Sequence, residues 1–231
     1  MSGHGSHGAL MDRVYRRQRH IYNLTRRYYL VGRDELIRSL NLRPGDSAVE
    51  VGCGTARNLI AIARLHPGAR LFGLDASEAM LETATEAVKR AGLSRQITLA
   101  YAFAERLAPG LFGEIRGFDA AIFSYSLSMI PDWRGALSAA GAALTADGRI
   151  EIVDFGDFDG LPRAAGAALR LWLAKFHVTP RSELLQALER SDSRSGLRLY
   201  AGRYAFRWRG ARLPGSVLAN VAVPPQAAEI S

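Results

Sequence analysis

One cysteine, two lysines and no long apolar run already say what this 231-residue chain is not. Cys53 alone excludes a disulfide framework and a cysteine-based zinc site. No apolar stretch approaches the ~20 residues that a membrane-spanning helix requires. The first ten residues, MSGHGSHGAL, lack both a basic n-region and an apolar h-region, so no secretory signal is expected and the expected location is cytoplasmic. With 48% hydrophobic and 23% charged residues the composition is that of a globular protein, which excludes disordered and fibrous classes. The length suits one domain with a small appendage.

The scarcity of lysine is offset by 28 arginines, and these are unevenly placed. Residues 1–43 carry a net +6, residues 44–160 a net −5 and residues 161–231 a net +7. A mildly acidic middle between basic ends points to an anionic partner met by the ends. Arginines that decorate exposed faces, or that clamp the acidic middle from within, are the alternative.

Residues 1–10 read as a disordered leader. From Asp12 to Leu40 the spacing is helical, with a break expected at Gly32 and a closing turn at RPGD, 43–46. Strand and helix signals then alternate: strands at 47–52, 69–75, 96–102, 118–124 and 149–155, helices at 56–66, 77–89 and 132–145. Ser77 is placed to cap the second of these helices. Two more helices, at 163–178 and 181–191, precede extended stretches at 197–202 and 204–210. These last two are joined too tightly for a crossover helix and must pair antiparallel. The pattern predicts an α/β fold: a seven-stranded, mostly parallel sheet with an antiparallel last strand, helices on both faces and an N-terminal helical lid. The expected organisation is a lid over 11–43, the main domain over 44–212 and a tail over 213–231.

The sharpest motif is VEVGCGTARN, 49–58, a glycine-rich turn between a buried strand and a helix. Gly52 and Gly54 permit close backbone approach to a ligand. The third glycine of a dinucleotide fingerprint is absent, and an acid, Glu50, stands just before the first. That carboxylate is unwelcome to a pyrophosphate and welcome to a cation. S-adenosyl-L-methionine (AdoMet) carries an ammonium and a sulfonium. Asp75, ending the next strand, suits a carboxylate accepting both ribose hydroxyls.

On these residues the chain resembles the class I methyltransferases, with Ala56 where the last loop glycine usually stands. The resemblance places Glu50, Gly52, Cys53, Gly54, Thr55, Asn58 and Asp75 around AdoMet. It adds Ala76 and Met80 against the adenine, Ala104 and Glu105 after strand three, and Ser124 at the end of strand four. No metal is implied. FSYSLSMIPDW, 123–133, contains none of the D/N-P-P-Y/F pattern of enzymes that methylate nucleobase amines, so a nucleic-acid substrate is not expected.

That segment and MDRVYRRQRHIYNLTRRYYLVGRDELI, 11–37, resemble the bacterial betaine-lipid N-methyltransferases. The resemblance implies trimethylation of the amine of diacylglyceryl-homoserine, to give diacylglyceryl-trimethylhomoserine. It also implies a glycerolipid substrate, an anionic membrane surface as partner and peripheral attachment, with docking to the enzyme that makes the homoserine lipid as a further option. The helix at 161–178, with Leu169, Trp172, Leu173 and Phe176, is either an interfacial helix or one packed on the sheet. Other small-molecule or lipid amines, RNA, and a non-catalytic AdoMet- or lipid-binding module remain alternatives. The amine must shed a proton before it attacks; Tyr125 and Asp154 at the strand corners are candidate acceptors, with water the other. Tyr22, Tyr28 and Trp133 are candidates for holding the growing cation on aromatic faces.

Overall fold

The computed structural model describes residues 30–190, 196–211 and 213. Its seven strands are β1 (Ser47–Val51), β2 (Arg70–Asp75), β3 (Ile97–Tyr101), β4 (Phe118–Ser124), β5 (Leu144–Phe155), β6 (Leu197–Tyr200) and β7 (Ala205–Gly210). They form one sheet in the order β3-β2-β1-β4-β5-β7-β6. Only β7 runs against its neighbours, pairing antiparallel with both β5 and β6. All five residues of β1 and six of seven in β4 are buried, as expected for central strands covered on both faces.

The helices are α1 (Arg33–Arg38), α2 (Arg57–Leu65), α3 (Glu78–Arg90), α4 (Trp133–Ala143), α5 (Arg163–Ala174) and α6 (Ser182–Arg190). Leu36, Leu59, Ile62, Ala84 and Leu173 join α1, α2, α3 and α5 in one apolar cluster. Leu137, Leu184 and Leu188 bring α4 and α6 into a second, with Phe206 and Trp208 from β7. The helical starts obey local chemistry. Ser77 Oγ accepts the Met80 N–H at 3.3 Å to open α3, and Asp132 accepts the Gly135 N–H at 2.9 Å to open α4. Gly32 takes a left-handed φ of +84°, which sets α1 off from the chain before it.

Two sequence expectations are corrected here. β5 begins at Leu144, inside the stretch read as helix, and α4 ends at Ala143. Pairing jumps from Phe118–Leu144 to Ala120–Arg149, so residues 145–148, including the expected Asp147-Gly148 turn, bulge within one strand. Two single-turn 3₁₀ helices, Ala104–Arg106 and Pro109–Phe112, fill what read as a plain connection. The leader, most of the lid and all of the tail beyond Leu213 lie outside the described residues.

Four arginines of the β6–β7 hairpin, Arg198, Arg203, Arg207 and Arg209, pair with acids of the fold. Glu151, fully buried on β5, meets Arg149 Nε at 2.9 Å, Arg209 Nε at 2.6 Å and Arg207 Nη2 at 3.5 Å. Glu35 on α1 contacts Arg198 and Arg207 and accepts the Tyr200 hydroxyl at 2.8 Å. Arg203 bridges Asp157 at 2.5 Å and Glu189 at 2.6 Å. Arg207 and Arg209 also reach Ser39, and Arg149 donates to the Leu40 carbonyl. These pairs tie α1 to β5, β6 and β7.

Candidate functional site

β1 and β4 are neighbours in the sheet although α2, β2, α3 and β3 separate them in the chain. The chain winds one way from β1 toward β3 and the other way from β4 toward β6, which opens a crevice beyond their carboxyl ends. Residues 52–56 cross that crevice. Gly52 has φ +74°, and a Cβ there would stand 2.8 Å from Ser126 Cβ. Gly54 has φ +53°, and nothing lies within 4 Å of where its Cβ would be. The loop therefore presents bare backbone to open space. Ala56 completes the turn in a left-handed conformation, φ +58°, where a glycine would be unstrained.

Two carboxylates flank the loop. Glu50 is buried in β1, and its Oε1 accepts the Asn58 amide at 2.6 Å. Asp75 closes β2, its Oδ2 accepting the Gly54 N–H at 2.8 Å and its Oδ1 the Ser77 N–H at 3.0 Å. One bridge thus fixes the loop and the other fixes the start of α3, at the carboxyl end of β2. A narrow pocket beside the loop is lined by Leu30, Arg33, Glu50, Gly52, Cys53, Thr55, Arg57, Asn58 and Ser124. It pairs one buried acid with two guanidiniums, a setting for a zwitterionic amino-acid group. The residues present fit AdoMet: acids for its cationic head and its ribose, with a bare loop between them.

Comparison with known proteins agrees with this geometry. Residues 49–150 match the family described as Methyltransferase domain. A solved S-adenosylmethionine-dependent methyltransferase, SibL, superposes with a TM-score of 0.63 at 21% identity, covering 83% of this chain and 57% of that one. This is the class I methyltransferase fold. Among curated relatives, a demethylmenaquinone methyltransferase of Bacillus cytotoxicus is 33% identical over 119 residues, 51% of this chain and 48% of that protein. A carboxy-S-adenosyl-L-methionine synthase of Campylobacter fetus subsp. fetus is 36% identical over 97 residues, 41% of this chain and 37% of its own length. The chain spans about half or less of the length of these relatives.

Within the methyltransferase fold the remaining sequence candidates fall into three groups. Ala76 and Met80 sit just past Asp75, with Met80 buried in the first turn of α3, and Ala104 and Glu105 form the 3₁₀ turn after β3. All four lie at the carboxyl edge of the sheet with the loop. Cys53 lines the pocket, but burial first, then Asp75 and Glu50, pushes its thiol pKa well up, so it stays protonated and unreactive.

A second group sits at the strand corners, held within the fold. Tyr125 follows β4 with a left-handed φ of +55°, stacks edge-on against Phe155 at 4.8 Å and donates its hydroxyl to the Val31 carbonyl at 2.7 Å. Burial and the nearby Asp154 raise its pKa, so it offers no phenolate. Its work is to pin the chain before α1 over the end of β4. Asp154 is also buried; its Oδ2 accepts the Ser128 N–H at 3.1 Å and its Oδ1 the Phe155 N–H at 2.8 Å. Desolvation raises its pKa against those bonds, and Oδ2 anchors the loop after β4 while Oδ1 takes the next N–H of its own strand. Neither residue lines the narrow pocket.

Trp133 is the clearest correction. It was a candidate cation holder, yet it is the first residue of α4, buried in the core of the opposite layer with Arg134 stacked 4.3 Å from its ring centroid. Tyr22 and Tyr28 lie outside the described residues. Arg33, Arg57 and Leu30 were not singled out from the sequence. Arg57 was within reach, because it directly follows the loop that defines the pocket.

Proposed function

We propose that this chain is an AdoMet-dependent N-methyltransferase acting on the amine of a lipid headgroup, with diacylglyceryl-homoserine trimethylated to the betaine lipid. The observation that carries the AdoMet half is the pair Glu50 and Asp75 astride a bare glycine turn at the sheet's switch point. Bound there, AdoMet supplies a methyl group on a sulfonium, open to in-line displacement. Glu50 would hold the ammonium, Asp75 the ribose diol, and Arg33 or Arg57 the methionyl carboxylate. The chain's further part is alignment and exclusion of water; proximity of this kind is worth ~7–11 kcal/mol in well-oriented systems. The acceptor amine sheds its proton to water before attack, since Tyr125 and Asp154 are occupied elsewhere.

The lipid half is supported by α5. Only Gly166 and Leu173 of this helix are buried; Leu171 is 71% exposed and Trp172 37% exposed, among exposed alanines and beside Arg163 and Arg170. The arrangement favours the interfacial reading of residues 161–178 over the packed one. α5 shares its cluster with α1 and α2, which lie next to the pocket. Among the described residues no helix is long and apolar enough to cross a membrane, so contact with lipid falls to surfaces of this kind.

A lipid extract incubated with the protein and methyl-labelled AdoMet tests the reading. Label in a trimethylated, zwitterionic glycerolipid is expected. Label in a quinone, in RNA or in AdoMet-derived small molecules, with none in the glycerolipid, would overturn the lipid half while leaving methyl transfer intact.

A further inference from the structure

A second concavity, about 500 Å³, runs between α1 and α2. Among the described residues Arg33, Arg38, Arg57 and Arg64 line it with Asp34, whose Oδ1 already accepts Arg33 Nε and Nη2 at 3.0 and 2.9 Å. Its floor is apolar, formed by Ile37, Ala61 and Leu65, the last 52% exposed. Arg33, Arg57 and Asn58 belong both to this groove and to the narrow pocket beside the glycine loop, so the two are continuous. Arg38 and Arg64 are exposed and belong to the groove alone.

We propose that this groove binds the phosphate of an anionic phospholipid headgroup, seating the protein on the membrane with the pocket facing the leaflet. The inference rests on the reading of a membrane-borne acceptor. The exposed guanidiniums of Arg38 and Arg64, at the outer part of this basic lining, match a phosphodiester, which guanidinium donors bind in forked geometry. The apolar floor beneath the arginines matches the glycerol and first methylenes beyond it. The chain's own residues 10–29 are a poor occupant, because six arginines and one acid make them strongly cationic. RNA is disfavoured because, among the described residues, no aromatic side chain lines the groove for bases to stack on. The exposed apolar face of α5 belongs to the same helical layer, and gives the membrane a second hold on that side.

The test uses the full chain with phosphatidylglycerol vesicles, and with phosphatidylcholine vesicles as control. Arg38→Gln with Arg64→Gln leaves the pocket arginines in place. A charge near an anionic surface is worth about a fivefold change in partition, so the double variant is expected to bind phosphatidylglycerol vesicles ~25-fold more weakly. Its melting temperature and AdoMet affinity should not move, and Arg38→Lys with Arg64→Lys should restore most of the binding. Undiminished vesicle binding by the glutamine variant overturns the proposal. So does displacement from vesicles by glycerol phosphate or by RNA at matched charge concentration, which would assign the groove to a soluble phosphate or to nucleic acid. Vesicle binding is read without methyl transfer. A protein that binds vesicles in this arginine-dependent way yet labels no glycerolipid would sink the substrate reading and leave the groove standing.

Discussion

The arginines of the β6–β7 hairpin and those of the groove between α1 and α2 carry the same charge into opposite surroundings. Arg198, Arg203, Arg207 and Arg209 are matched to Glu35, Glu151, Asp157 and Glu189, so four basic residues of the C-terminal segment are answered from within the fold. In the groove Asp34 is taken by Arg33, while Arg38 and Arg64 stand exposed. Sequence composition counts both sets alike as basic ends. An external anion meets mainly the second, and the first is the clamp that holds α1, and therefore the pocket wall, against the sheet.

The comparison breaks first at Glu151. Replacing it by Gln leaves three guanidiniums around a buried site without their charge, and breaking a buried ion pair costs about 3 kcal/mol or more. The denaturant midpoint should fall accordingly, whereas the groove variant Arg38→Gln with Arg64→Gln should stay within about 0.5 kcal/mol of the parent. Equal effects would erase the distinction.

Asp157→Asn is the next test. Burial alone would raise the Asp157 pKa, but hydrogen bonds from Arg203 and the Asp159 N–H outweigh it and hold the carboxyl below its usual range. A depressed folded pKa gives stability that is present above the unfolded value, ~3.9, and is lost as pH falls through the folded one. The parent should therefore exceed Asp157→Asn by about 1.5–3 kcal/mol at neutral pH, the range for a charged hydrogen bond, with the gap closing on acidification. A gap that persists at low pH would assign the difference to packing.

Tyr125→Phe removes the bond to the Val31 carbonyl and should cost about 1 kcal/mol. If the phenol only tethers, the pH dependence of methyl transfer stays unchanged; loss of one limb of that profile would restore Tyr125 as a proton acceptor. The smallest effect belongs to Ala56→Gly. Relief of a left-handed alanine, worth ~1–2 kcal/mol, is set against the lost methyl and the freer unfolded chain, so the melting temperature should change by no more than a few degrees.

What was legible in the sequence follows the range of the signal. All seven strands and the capping roles of Ser77 and Gly32 rest on neighbouring residues, and the structure has them there. The glycine turn and its two acids are likewise local, since strand ends and loop glycines announce themselves within ten residues or so. The Glu35–Arg207 and Arg149–Leu40 contacts join residues 172 and 109 positions apart, and no spacing rule reaches that far. The groove was hidden for the same reason: Arg38 and Arg64 share it only because α1 packs beside α2. Trp133 misled because an aromatic near a catalytic corner reads alike whether it points at the site or into the core. The start of β5 misled because alanine-rich 139–143 carries helical propensity straight up to Leu144.

Binding of AdoMet measured by titration calorimetry, on the parent and on Asp75→Ala, tests the central claim most directly. The account predicts binding by the parent and a drop of ~10- to 100-fold in the variant, the worth of charge-assisted bonds to the ribose diol, with the circular dichroism spectrum retained. Asp75→Asn, which keeps an acceptor for the Gly54 N–H, should fall between the two. Equal affinity in all three proteins, or no binding by the parent, would contradict it.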